Sequence, residues 1–250
     1  MITITSKNNE LIANTKKLQD KKYRKLRNEC LLEGEKLINE AIKSNVKIKS
    51  IFSCDESKLK QFNDNEYQLY FVSENIIKWL SLNPSPQNVL AVIDTKSQYV
   101  SNSDQILILD NLQNPDNFGA IIRTALATNF NKIFAINCVD KYNEKVLRAS
   151  MGTIFRCEII ETDYQYVKEL SQKYDLYYAD MQGENIFNID LINSKVGIVI
   201  GNEGNGISKE IRTILNNKIS IPMENNVESL NATVAGSIIM YQIYSKINKK

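Results

Sequence analysis

From Gln105 onward the chain alternates short, wholly apolar runs with stretches of helical periodicity, and this alternation restricts the fold more than any other feature. Ile106–Leu109, Ile133–Ile136 and Val196–Ile200 contain no polar side chain. Strands of that kind are buried on both faces, as in parallel sheets, whereas an antiparallel sheet with one wet face alternates apolar and polar residues. Between and after them the pattern predicts a helix ending near Asn129, helix Glu144–Met151, strand Phe155–Ile160, helix Tyr166–Lys173 and strand Leu176–Ala179. Helix Lys209–Asn216, strand Lys218–Pro222 and a last helix Leu230–Ile247 complete the series. Strands alternating with helices predict an α/β domain with a mostly parallel sheet. Ligands are then expected in the loops beyond the carboxyl ends of its strands.

The first part of the chain reads differently. Leu18, Leu26, Cys30, Leu31, Leu37, Ile38 and Ala41 recur at roughly helical spacing, predicting helix over 15–44 with a break or a second helix at Gly34. Ile48–Ser53, Gln68–Val72 and Val89–Ile93 read as strands, with helix Glu74–Leu80 before the last of them. Trp79, the only tryptophan, is expected in the core. Asn83-Pro-Ser-Pro-Gln87 is a loop, because each proline pushes its predecessor out of helical space. The polar, Ser-rich stretch Asp94–Asp104 looks like a linker. The expected organisation is therefore a small α/β domain over 1–95, a linker over 96–104 and a second α/β domain over 105–250, a natural division for 250 residues.

The chain has no histidine, which excludes Ser-His-Asp and Cys-His catalytic units, His-ligated metals and histidine as general base. Its four cysteines (Cys30, Cys54, Cys138, Cys157) lack paired spacing and are expected as buried thiols, neither disulfides nor a zinc site. No metal is expected. The start, Met1–Asn9, is polar, and no apolar run approaches the roughly 20 residues of a membrane span. The expectation is a cytoplasmic protein without a membrane partner. The formal charge is only +2, yet Lys16, Lys17, Lys21, Lys22, Arg24, Lys25 and Arg27 crowd one stretch in which Asp20 is the only acid. Such a run is either a solvated helix face or a phosphate-contacting surface.

Three segments of the second domain stand out. Asn114-Pro-Asp-Asn-Phe-Gly119 leads into an otherwise apolar helix that carries Arg123; as local structure it is a turn whose helix Asn117 caps. Gly201-Asn-Glu-Gly-Asn-Gly206 follows the most apolar strand, and its glycines point to close backbone approach to a ligand. It fits neither a dinucleotide fingerprint nor a phosphate-binding P-loop. Ile221-Pro-Met-Glu-Asn-Asn-Val-Glu-Ser-Leu-Asn231 reads as a loop in which Ser229 caps the last helix, which leaves Asn231 unexplained.

Taken together the three resemble the signature motifs of the SpoU (TrmH-like) family, whose members transfer a methyl group from S-adenosylmethionine to ribose in RNA. Asn114 to Ala125 matches the first motif without a mismatch, Gly201 to Gly206 matches the second, and Ile221, Pro222, Met223, Ser229, Leu230 and Asn231 match the third. Asn225 stands where the family usually has glycine, and Ala232-Thr233 replaces Val-Ser. The N-terminal part resembles the family's L30e-like substrate-binding domain at Lys21-Lys22-Tyr23-Arg24 and Glu33-Gly34.

The resemblance implies a catalytic domain of the SPOUT type tied in a deep C-terminal trefoil knot, and a homodimer formed through it. It implies that Gly201, Ile221 and Leu230 hold S-adenosylmethionine. It makes Arg123, Asn117, Glu203, Ser229 and Asn231 the catalytic set, with Lys22, Arg24 and Arg148 as RNA contacts. The expected reaction is ribose 2′-O-methylation of RNA, with 23S ribosomal RNA the expected substrate. The alternatives are the same reaction on tRNA, or a non-catalytic RNA-binding protein of ribosome assembly.

Overall fold

The computed structural model describes residues 1–62, 67–96, 99–190, 194–224 and 228–248. The chain divides into two compact units, Met1–Gln98 with Tyr142–Phe155, and Tyr99–Lys141 with Arg156–Lys250. In the first unit the order is β1 (Ile2–Ile4), α1 (Glu10–Lys17), α2 (Lys21–Arg27), β2 (Glu29–Glu33), α3 (Glu35–Lys43) and β3 (Ile48–Ser53). Helix α4 (Glu56–Gln61), β4 (Gln68–Val72), α5 (Glu74–Leu80) and β5 (Val89–Asp94) follow. The strands form one mixed sheet in the order β1-β4-β3-β5-β2, with β5 antiparallel to both β3 and β2. Ile12, Leu18, Phe52, Val72, Ile76 and Leu80 pack into its core, with half-buried Trp79 against them.

The stretch 15–44, expected as helix with a break or a second helix at Gly34, does start a new helix there, with Gly34 as the N-cap of α3, but what precedes it is two short helices and a strand. Asn28 takes the left-handed conformation (φ 52°) and ends α2, after which Glu29–Glu33 pairs antiparallel with Asp94–Leu90. Cys30 and Leu32 are buried while Leu31 is only partly so, the period of two of a half-buried strand. Helical spacing among Leu26, Cys30 and Leu37 was a coincidence between separate elements. Strand β1 and helix α4 have no counterpart in the sequence reading.

The second unit contains β6 (Gln105–Asp110), α6 (Pro115–Ala127) and β7 (Lys132–Ile136). Helix α7 (Glu144–Ser150), although inside the second family-like half of the sequence, groups with the first unit. Then come β8 (Glu158–Thr162), α8 (Tyr164–Leu170), β9 (Asp175–Asn185), β10 (Val196–Ile200), α9 (Lys209–Ile214), β11 (Lys218–Ser220) and α10 (Ala232–Ile247). Strand β8 starts later than expected because Met151 and Gly152 both take positive φ and Thr153–Arg156 makes a 3₁₀ turn first. Of the Asp94–Asp104 stretch, residues 97 and 98 lie outside the described residues. Ser101 is buried, its amide bonded to Glu158 and its hydroxyl to Asn131.

The six strands of this sheet run parallel in the order β11-β9-β10-β6-β7-β8. Every residue of β6 and β10 is buried, as their apolar runs require. One face packs Ile106, Ile108 and Val199 on Val167, Leu170, Ile211 and Leu215. Burying a side chain of this size contributes about 1.5–3 kcal/mol. On α10, a Cβ at Gly236 would lie 2.8 Å from Ile121 of α6 and 3.3 Å from Ile200, so this glycine lets the last helix approach. Strand order reverses between β6 and β10, whose ends are in register at Leu109 and Ile200. The loops leaving these two strands therefore emerge side by side, at the topological switch point where open α/β sheets bind ligands. No described helix is long and apolar enough to cross a membrane.

Candidate active site

The loop after β6 turns into α6 at Asn114, which is extended (φ −75°, ψ 118°) and accepts from the amides of Asp116 (2.9 Å) and Asn117 (3.2 Å). Pro115 occupies the first helical turn, where its missing N–H costs nothing. The cap is thus Asn114 and not Asn117. That leaves the Asn117 side chain available for other bonds, since an N-cap oxygen must come from outside the helical dihedrals.

The loop after β10 is closed on itself. Asn202 and Gly206 exchange backbone bonds of 2.9 and 3.0 Å, and the Asn202 side-chain oxygen accepts from the amides of Gly204 and Asn205. A Cβ on Gly201 would press on the Gly206 carbonyl and lie 2.6 Å from the Ile207 nitrogen, while Gly206 itself has φ +64°. Gly201 therefore serves close approach of the chain to itself.

At this loop Glu203 faces the α6 N-terminus. Its Oε1 accepts from the Asn114 amide (3.2 Å) and from Asn117 Nδ2 (3.0 Å). Burial pushes the Glu203 carboxyl up, but the hydrogen bonds from Asn117 and nearby backbone outweigh it and hold the group below its ordinary value. Glu203 is thus an anion and a pure acceptor at neutral pH, which fixes Asn117 with its amide nitrogen toward Glu203 and its oxygen away.

That oxygen accepts from Asn231 Nδ2 at 3.1 Å. Asn231, with φ −53° and ψ 138°, is the N-cap of α10, its own oxygen accepting from the amides of Thr233 (2.9 Å) and Val234 (3.3 Å). Ser229 is not the cap: it is exposed, two residues before the helix turns. Thr233 adds a bond to the Asn117 carbonyl, and Thr124 meets Ser237 at 2.9 Å. Glu203, Asn117 and Asn231, one from each sequence segment, form a single chain of hydrogen bonds. Arg123 and Ser229 do not join it. Arg123 is exposed on α6 and makes no hydrogen bond or ion pair among the described residues.

Beside the network lies a cavity of about 490 Å³, within the range of small-molecule sites. Gly201, Ile221 and Leu230 line it, as do Glu203 and Ser229. Asn225 lies outside the described residues. Sequence reasoning missed Asp180 and Arg212, which also line this cavity and form an ion pair with each other. Burial acts against the Asp180 charge, but bonds from Gln182 and Arg212 hold its carboxyl below the ordinary value. The signal for Asp180 was its place directly after the expected strand Leu176–Ala179, although the structure continues that strand to Asn185; Arg212 gave none. Apolar walls from Ile200, Ile219 and Ile239, with carboxylates at Asp180, Glu203 and Glu228, suit a ligand that joins an apolar ring to a cationic group. S-adenosylmethionine, an adenosine carrying a sulfonium, fits that description.

The expected RNA contacts are placed in the first unit. Lys22 is exposed, with its ammonium 6.0 Å from the Tyr23 ring. Arg24 bonds the carbonyls of Leu18 (2.9 Å) and Gln19 (2.8 Å), closing the turn between α1 and α2. Arg148 on α7 pairs with Glu144 at 3.0 Å and bonds Asn83 at 2.9 Å. Of the site residues reached by motif, Glu203, Asn117 and Asn231 are brought together; Arg24 and Arg148 are partly spent on local structure.

Comparison with known proteins follows the same division. The model of the SpoU rRNA methylase family matches residues 104–241. The chain belongs to this family. An MRM3-like substrate-binding domain matches residues 9–91. Among SpoU relatives, the Bacillus subtilis 23S rRNA guanosine 2′-O-methyltransferase RlmP is 28% identical over 97% of this chain and 99% of its own. The structure of a TrmH-family protein from Porphyromonas gingivalis is 25% identical, with a TM-score of 0.85 over 94% of this chain and 97% of that one. The SpoU methyltransferase AviRb from Streptomyces viridochromogenes, solved with S-adenosylmethionine bound, shares the fold at 21% identity. Its TM-score is 0.85 over 96% of this chain and 98% of that one.

Proposed function

We propose that this protein transfers a methyl group from S-adenosylmethionine to a ribose 2′-hydroxyl of RNA, with 23S ribosomal RNA as its substrate. The observation that carries the reading is the Glu203–Asn117–Asn231 chain of bonds, set beside the cavity at the strand-order reversal. When bound, S-adenosylmethionine supplies a methyl group on sulfonium sulfur, so that displacement leaves a neutral thioether. Gly201, Ile221 and Leu230 present backbone and apolar surface to it. Asn117, in the first turn of α6, is locked between Glu203 and Asn231, and Ser229 offers at the cavity a hydroxyl with no partner among the described residues.

Arg123 is the group left for RNA. A guanidinium presents a planar fork of N–H donors that matches phosphate geometry, and this one is exposed with no partner among the described residues. Arg123 therefore orients the phosphate and stabilises the negative charge that develops on the 2′-oxygen, whose proton leaves to solvent. Positioning of this kind accounts for roughly 7–11 kcal/mol of barrier in well-oriented systems.

The first unit supports ribosomal RNA over tRNA, because it matches a substrate-binding domain and RlmP shares it along its whole length. The reading includes a trefoil knot in the second unit, a cytoplasmic location and a homodimer formed through that unit. Exposed Val234, Tyr241 and Tyr244 on α10 supply apolar surface for the dimer. Calorimetric titration with S-adenosylmethionine tests the enzyme reading: one site per chain is expected, and Asp180→Lys abolishes it. RNA binding without any cofactor binding would make the chain a non-catalytic RNA-binding protein.

A further inference from the structure

Asp110, the last residue of β6, is a carboxylate with no accessible surface and no cation in ion-pair reach among the described residues. Buried carboxylates without a cation are rare, because neutral donors must replace all of the lost hydration. Here three donors do so. Asp110 Oδ1 accepts from Asn111 Nδ2 (2.7 Å) and from the Tyr164 hydroxyl (3.1 Å), and Oδ2 accepts from the Ser208 amide (2.8 Å).

Two of these bonds bear on the glycine-rich loop. Ser208 follows its closing residues and caps α9, accepting from Ile211. Asn111, held by Asp110 in left-handed backbone (φ 58°), presents its carbonyl to Asn202 Nδ2 at 2.8 Å, at the beginning of the loop. The same Asn202 organises the amides of Gly204 and Asn205 and exchanges backbone bonds with Gly206. The Asp110-Asn111 pair thus fastens both ends of the segment that carries Glu203. Charge-assisted bonds are about twice as strong as neutral ones, which is a physical reason for a carboxylate here and not an amide.

We propose that Asp110 is a positioning residue for methyl transfer: through Ser208 and Asn111 it holds the Gly201–Gly206 loop in the shape that walls the cofactor cavity and aims Glu203 at Asn117. This rests on the functional reading given above. Asp110 touches no reacting atom; it acts through the loop.

The test compares the full-length wild type with Asp110→Asn and with the exchanged pair Asp110→Asn/Asn111→Asp. In the single variant one acceptor oxygen becomes an NH2 group, which meets a donor in either orientation, Asn111 Nδ2 in one and the Ser208 amide in the other. In the exchanged pair, donor and acceptor are complementary again, and Asp tolerates left-handed backbone. Hydrogen exchange of the protein alone reads the loop, calorimetry reads S-adenosylmethionine affinity, and thermal unfolding reads stability. Asp110→Asn is expected to exchange the Gly206 and Ser208 amides at least tenfold faster, leaving first-unit amides unchanged. It should weaken the cofactor about tenfold to hundredfold, the effect of losing a hydrogen bond to a charged group. In turnover the loss should appear in KM for the cofactor as well as kcat per folded molecule. The exchanged pair should recover most of it.

Unchanged loop exchange and cofactor affinity in a folded Asp110→Asn would overturn the proposal. So would a uniform loss of protection in both units, which would mark a purely structural role. If the wild type itself binds no S-adenosylmethionine, the functional reading fails, while exchange at Gly206 and Ser208 still decides the role of Asp110.

Discussion

The three glycines of the Gly201–Gly206 loop are predicted to differ sharply in what alanine does to them. At Gly201 the added Cβ meets backbone, the Gly206 carbonyl and the Ile207 nitrogen at 2.6 Å, and backbone cannot swing aside as a side chain can. Overpacking of that kind costs about 1–3 kcal/mol. Opening the contact also breaks at least one of the reciprocal Asn202–Gly206 bonds, worth about 0.5–1.5 kcal/mol. Gly201→Ala should therefore lose roughly 2–4 kcal/mol, which for a chain of this size is a Tm lower by about 5–15 °C. At Gly206 nothing lies within 4 Å of the added Cβ, but φ is +64°, so alanine costs about 1 kcal/mol through backbone strain alone. At Gly204 the nearest atom is Asn202 Oδ1 at 3.7 Å, with no positive φ, and alanine should stay within about 0.5 kcal/mol. Thermal unfolding and cofactor titration of the three variants measure the order directly. A Gly201→Ala protein as stable and as tight-binding as wild type, or a Gly204→Ala protein worse than it, would refute the reasoning.

Asn231→Asp keeps the oxygen that caps α10 and loses the Nδ2 donor to Asn117, whereas Asn231→Ala loses both; the alanine variant should unfold with about 1 kcal/mol less stability, and both should lose kcat. Equal stability of the two in chemical denaturation would contradict the cap assignment. The Glu203 carboxyl is held below its unfolded value, so its contribution is fully present above the unfolded carboxylate pKa and is lost as pH falls through the lower folded value. Cofactor affinity should accordingly be flat from neutral pH down to about 5 and fall only in stronger acid, with the fall smaller in Glu203→Gln, where Asp180 is left to titrate at the same cavity; calorimetry across pH checks it. Burial pushes the Cys138 and Cys157 thiols up to about 12, so in the folded protein both should resist alkylation at pH 8 and react on unfolding, as followed by mass spectrometry.

What the sequence revealed, and what it hid, follows from how far each determinant reaches along the chain. The parallel sheet was legible because β6, β7 and β10 are apolar throughout, and a doubly buried strand leaves no other pattern. Glu203, Asn117 and Asn231 were legible as a set because each sits in a short motif at a strand or helix end. Their partners were not. Caps were assigned to Asn117 and Ser229 where the structure uses Asn114 and Asn231, since several cap-competent residues lie within three positions and only the backbone dihedrals choose among them. Strand β2 was hidden because its pairing with β5 joins residues more than fifty positions apart, and propensity alone does not record such a partner. Asp110 looked like an ordinary polar residue ending a strand; its three donors come from Asn111, Tyr164 and Ser208, separated widely in sequence. Arg24 read as an RNA contact within a visible charge cluster and Arg148 through the family resemblance, while the carbonyls and the carboxylate that engage them are not visible in sequence.

The most direct test of the functional reading is transfer of labelled methyl from S-adenosylmethionine to ribosomal RNA and, separately, to tRNA, with the product mapped to the nucleotide. Wild type and Arg123→Ala are compared side by side. The account predicts a single 2′-O-methylated ribose in 23S rRNA, absent with Arg123→Ala. Label confined to tRNA, label on a base, or label undiminished by the Arg123 substitution would contradict it.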